Sequence, residues 1–167
     1  DAGLAAIGDI LTRMAELAEY AANGVWQNNQ RRCMNLEVQN LASEIDRIAA
    51  VTTFNGRHLL SGTQLITIQV GFDSLSTSQI SFASADGTLK ALGLTDGDKF
   101  KHSLCGATTE ESLNLARSLL SDATAALEGL SASRGMIGAA QNRLSSAVDT
   151  LAATRTELEG AAGRISD

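Results

Sequence analysis

The chain has 167 residues, 44% of them apolar but only 4% aromatic, with no proline, two cysteines, a net charge of −6 and a pI of about 4.9. This acidic balance leaves no basic stripe to track phosphates and disfavours nucleic-acid binding; the sole basic doublet, Arg31-Arg32, reads as a solvated helix end. No apolar run approaches the roughly 18–20 residues that span a bilayer, and a core rich in Ala and Leu suits closely packed helices in one ordinary or elongated domain.

Residues 4–22 read as a helix, with Leu4, Ile7, Leu11, Met14, Ala18 and Ala21 on one stripe that Leu17 widens. Asn23-Gly24 ends it, with the glycine suited to a left-handed residue after a helix. Asn28 and Asn29 are candidate caps for the next helix, over residues 29–53, whose stripe is Met34, Val38, Leu41, Ile45 and Ile48. Asn55-Gly56 is a tight-turn signal. The period then changes. Residues 65–70 alternate and are rich in β-branched side chains, which predicts a strand, and residues 79–82 supply its partner across a loop at 71–78. Leu89–Leu94 is compatible with a helical turn, and residues 95–107 have no period and read as a surface connection.

Thr108 or Thr109 caps the final helix, but only Thr108 has a carboxylate, Glu111, at capping-box spacing. From there Leu113, Ala116, Leu120, Ala123, Leu127 and Leu130 alternate steps of three and four. Leu130, Ile137, Leu144, Leu151, Leu158 and Ile165 continue at intervals of seven, on one helical stripe. Gly129, Gly135 and Gly138 lie inside this helix, each costing about 1 kcal/mol relative to Ala, and predict a bend or a close crossing.

The predicted fold class is mainly α. It is an elongated bundle of two N-terminal helices and one long C-terminal helix, with a small β-hairpin region in the middle. Residues 1–167 form a single rod domain: a helical pair (1–56), the hairpin region (57–94), a short connection (95–108) and the long helix (109–167). The β part is expected to cap one end of the rod, with both termini at the other. The helical pattern is running at Leu4 and still running at Ile165, so both ends read as cut through helices.

No catalytic, cofactor or metal constellation is predicted. His102-x-x-Cys105 has a metal-ligand spacing, but nothing brings Cys33 or His58 to it. No phosphate-binding glycine loop, HExxH or GxSxG occurs. Glu16, Glu19, Glu44, Asp46, Glu157 and Glu159 sit at spacings expected of solvated helix faces, so the chain does not read as an enzyme. Cys33 and Cys105 fall in segments placed far apart along the rod and are expected to be free thiols.

Four segments, at matching order and spacing, are LTRMAELA (11–18), EIDRIAAVTTFNGRHLLSG (44–62), ITIQVG (66–71) and SRGMIGAAQNRLSSAVDTL (133–151). Together they resemble bacterial flagellin, over nearly the whole chain outside about 72–108. The FNG turn followed by an IQVG strand, and GAAQNRL in the returning helix, are specific in combination. The resemblance implies the α-helical rod domain of the inner filament wall, a homopolymer of flagellin subunits. It implies export chaperone and export apparatus as further partners, and an extracellular filament reached without a cleaved signal peptide. Segments flanking the rod drive polymerisation in that family, so this fragment is expected to be monomeric. The stretch 84–108 stands where relatives commonly carry large outer domains, which implies a compact flagellin with almost no outer domain.

The family's rod is also recognised by a host toll-like receptor, through a pattern close to LQRVRELA and a Glu on the following helix. Arg13, Leu17 and Glu37 match it; Thr12 and Ala15 depart from it, and Ala15 removes one bidentate-capable Arg. Asn55 and Gly56 are assigned to the turn, and Gln141, Asn142 and Arg143 to subunit packing. The Ser/Thr-rich stretch 74–84 reads as a polar hairpin on a surface where flagellins often carry O-linked sugars. The competing readings are the hook–filament junction protein, which shares the rod, and a flagellin-like surface binding module or prefoldin-type chaperone.

Overall fold

A computed structural model describes residues 1–71 and 75–166; part of the expected 71–78 loop, residues 72–74, lies outside the described residues. Helix α1 spans Ala2–Ala21, α2 spans Asn28–Val51 and α3 spans Thr109–Ser166. Between α2 and α3 lie the short strands β1 (Thr53–Phe54), β2 (Arg57–His58), β3 (Leu65–Gln69), β4 (Gln79–Ala83), β5 (Thr95–Asp96) and β6 (Lys99–Phe100). They pair antiparallel as three separate hairpins, β1–β2, β3–β4 and β5–β6. The mainly α architecture, two N-terminal helices, a hairpin region and one long C-terminal helix, is as the periodicity requires.

The apolar stripe of α1 is buried throughout: Leu4, Ile7, Leu11, Met14, Leu17, Ala18 and Ala21 all belong to the core. Val38, Ala42, Ile45 and Ala49 of α2 complete it, with Met34, Leu41 and Ile48 at its margin. Ala116, Leu119, Ala126 and Leu130 enter from α3, while Leu120 and Leu127 flank them.

The caps differ from expectation. Gln27 stands at the N-cap position of α2, its N–H donating to Gln30 Oε1 at 2.9 Å, and Asn29 Oδ1 accepts the Gln30 N–H at 2.9 Å, so Asn29 shares in satisfying the first turn while Asn28 is its first residue. At the end of α1, Gly24 takes no left-handed conformation. Arg31 does the work instead: its Nε donates to the Ala21 carbonyl at 3.1 Å and its guanidinium to the Asn23 carbonyl at 3.0 Å. Arg31 is therefore not a solvated helix end but a cation 1% exposed, neutralising carbonyls that a helix C-terminus leaves unpaired. Thr108 Oγ1 accepts the Glu111 N–H at 3.2 Å, as a cap of α3 should.

α1 runs antiparallel to α3. Asp1 pairs with Arg134 at 2.9 Å, and Gly8 lies so close to Leu130 that a Cβ would meet it at 3.3 Å. Gly3 sits against Leu60, and Gly87 against Ile7. The start of α1 is thus packed against the hairpin region. This overturns the placement of both termini at the end away from the hairpins, because α3 continues past them. Ala140 is its last buried residue; none from Gln141 to Ile165 is buried. Gly129, Gly135 and Gly138 make no close crossing within the chain, since a Cβ at each would meet open space.

Residues 95–107 run over the surface but are anchored at their second half. Leu94 and Leu104 are fully buried and His102 is 5% exposed. Polar side chains of α2 hold this strap and the turn before it: Asn35 Oδ1 accepts the Leu104 N–H at 2.8 Å, Gln39 Nε2 donates to the His102 carbonyl at 3.0 Å, and Asp46 Oδ1 accepts the Leu89 N–H at 3.0 Å. Past β6, a backbone tied this way satisfies its polar groups without further sheet pairing. Cys105 borders a groove with Arg32 and Asn35 of α2, Cys33 is exposed, and both thiols are free.

Candidate assembly and recognition surfaces

The hairpin turn is set by two residues. Asn55 has φ +49° and Gly56 φ +75°, between the paired residues Phe54 and Arg57. Two left-handed central residues match the twist of a two-residue hairpin, which selects Asn-Gly. Asn55 and Gly56 are exposed at the tip. Behind them, cross-strand pairs Ile66–Phe82 and Ile68–Ile80 give β3–β4 one apolar face. It encloses an apolar hollow of about 270 Å³ with Leu4, Leu60 and Ile137.

Arg13 and Glu37, 24 residues apart, are brought together: Arg13 Nε donates to Glu37 Oε1 at 2.8 Å, and Arg13 also reaches Glu16 at 3.1 Å. Both side chains of the interhelical pair remain 44–45% exposed. The Glu37 carboxylate, with Glu16 adding to it, raises the proton affinity of the guanidinium. Leu17 is not part of this surface. It is 4% exposed and packs in the core. One heptad beyond Glu37 on α2, Glu44 takes both donors of Arg47, at 2.6 and 2.7 Å, which lowers the Glu44 pKa. This second charged pair extends the same face of α2; its i, i+3 spacing was visible in the sequence.

The distal half of α3 exposes an apolar stripe. Leu144 and Leu151 are half-buried, but Val148 and Leu158 are each 62% exposed and Ile165 is 87% exposed. Gln141, Asn142 and Arg143 are exposed on the turn that starts this segment. Among the described residues no cluster of three or more metal-ligating side chains occurs, and no helix is long and apolar enough to cross a membrane.

Residues 1–65 match the bacterial flagellin N-terminal helical region, and residues 120–167 match the bacterial flagellin C-terminal helical region. The chain is 30% identical over 169 residues to the flagellar filament 30.7 kDa core protein of Treponema maltophilum, covering 95% of this chain and 57% of that protein. It is 30% identical over 162 residues to a flagellin of Halalkalibacterium halodurans, covering 96% of this chain and 56% of that protein. The chain thus spans a little over half the length of these relatives. Its fold is similar to the crystal structure of Bacillus cereus flagellin, with a TM-score of 0.71 and 27% identity over 90% of this chain and 80% of that one. With both helical regions of one family present, joined through the hairpins into a rod of flagellin shape, the chain belongs to the bacterial flagellin family.

Proposed function

We propose that the chain is the rod of a flagellar filament subunit, polymerising with identical copies outside the cell. The observation that carries this is the distal half of α3, where Leu144, Leu151, Leu158 and Ile165 repeat every seven residues and none of them is buried among the described residues. A stripe of that kind is stable in water only when other helices cover it, and identical heterologous contacts between copies build an open helical array. Gln141, Asn142 and Arg143 flank the stripe as polar packing positions, and the Asn55-Gly56 tip stands clear of the rod as a second contact. The role is structural rather than enzymatic. Alone, the chain is monomeric; in the cell it is carried by an export chaperone to the flagellar export apparatus, without a cleaved signal peptide. Arg13 and Glu37 form the receptor-facing charge pair, and the short 84–108 stretch takes the place of a large outer domain.

The test is replacement of the resident flagellin of a motile host by this rod joined to that flagellin's own terminal flanking segments, followed by negative-stain electron microscopy. Long uniform filaments support the proposal. Short caps or soluble protein, with competent seeds present, favour the hook–filament junction protein.

A further inference from the structure

The 95–107 strap is held on the bundle by a histidine with an unusual environment. The His102 ring is 4% exposed, its Nε2 lies 3.2 Å from Asp122 Oδ2 of α3, and it makes no well-aligned hydrogen bond. That carboxylate already has a cation: Lys101 Nζ lies 2.8 Å from the same oxygen. α2 contributes the Gln39 amide, bonded to the His102 carbonyl, and β6 contributes the Phe100 ring, 5.5 Å from the imidazole. Two residues on, Leu104 is fully buried and its N–H is held by Asn35.

We propose that the strap is an acid-released latch, closed over α2 and α3 while His102 is neutral and opening when it is protonated. A second proton-bearing cation beside Lys101 would share one partly exposed carboxylate while its own ring stays buried, whereas release lets the imidazolium reach water. Burial is the leading cause that depresses the proton affinity of His102; Asp122 opposes it and Lys101 adds to it. With the folded value below the ordinary imidazole value of about 6.5, the closed strap binds fewer protons than the open one. Its stability is therefore complete above about pH 6.5 and is lost as the pH falls through the depressed value.

The experiment is hydrogen exchange of the full chain at pH 7.5 and pH 5, corrected for intrinsic rates and read by mass spectrometry. The Lys101–Cys105 amides are expected to lose protection severalfold at the lower pH relative to Leu11–Leu17 of α1. His102→Gln is expected to abolish that pH dependence. Asp122→Asn, which removes the opposing carboxylate, is expected to deepen it. Strap protection that does not change with pH in the wild type, or a loss that persists undiminished in His102→Gln, overturns the proposal. Should His102→Gln fail to fold, an NMR titration in which the His102 ring protonates above the ordinary imidazole value overturns it equally.

Discussion

Arg13 on α1 and Glu37 on α2 form an interhelical ion pair, 2.8 Å between Nε and Oε1, on a face that stays half-exposed. An exposed pair of this kind adds little to stability because water and salt screen it. Arg13→Ala is therefore expected to leave the thermal melting curve nearly unchanged and to lower potency severalfold in a toll-like receptor reporter assay. Unchanged potency would remove Arg13 from the recognition surface.

Leu17 makes the opposite prediction. It is 4% exposed, so Leu17→Ala should cost about 2–5 kcal/mol of folding stability. Any fall in receptor potency should then follow the fraction unfolded. Potency lost at a temperature where circular dichroism shows the variant fully folded would place Leu17 in direct recognition.

Position along the stripe separates packing from assembly. Leu11 is fully buried between the helices, and Leu11→Ala should destabilise the chain by about 2–5 kcal/mol, lowering the melting temperature by about 2–4 °C per kcal/mol. Leu158, 62% exposed, should tolerate Ala within about 0.5 kcal/mol in the isolated chain. Urea denaturation of both variants checks the contrast.

Leu151→Asp tests the proposed assembly surface itself. Leu151 is on the exposed seven-residue stripe and far from the buried core of α1, so the isolated variant should melt as the parent does. In place of the resident flagellin, joined to that flagellin's flanking segments, it should give no long filaments. Normal filaments from Leu151→Asp would move the subunit contacts off this stripe.

The hairpin tip depends on backbone conformation rather than side-chain contact. Asn55 at φ +49° tolerates a left-handed backbone that a β-branched residue resists. Asn55→Val should cost about 1–2 kcal/mol and weaken the Thr53–His58 cross-strand contacts seen by NMR, whereas Asn55→Gly should keep them. Equal contacts in both variants would show that flanking packing, not the turn, sets the hairpin.

The helices were legible because each buries one stripe, and a stripe repeats. Leu4, Ile7, Leu11 and Met14 announce α1 regardless of their partner. Asn55-Gly56 and the β-branched run of β3 were legible for a similar reason: local backbone chemistry decides them. What stayed hidden came from single side chains reaching across the fold. Arg31 finds the end of α1 ten residues back, and Asn35 holds Leu104 across 69 residues. Such bonds have no period. The position of the N-terminus was hidden too, because it depends on which turns of α3 oppose α1, fixed here by Arg134 and Leu130. The pattern that singled out Arg13, Leu17 and Glu37 carries no sign that Leu17 faces inward while Arg13 and Glu37 pair across two helices.

The lengths of α1 and α3 have a mechanical consequence. The 20 residues of α1 grip α3 over about five to six turns, and past Ala140, over about seven turns or some 37 Å, no described residue of α3 is buried and it stands as a lever arm. A sideways force on Ile165 is delivered as torque at the clamp, where Arg134 meets Asp1 and Leu130 meets Gly8. The rigidity with which the arm is aimed is thus decided at the first residues of α1, a long way from the tip that would feel the load.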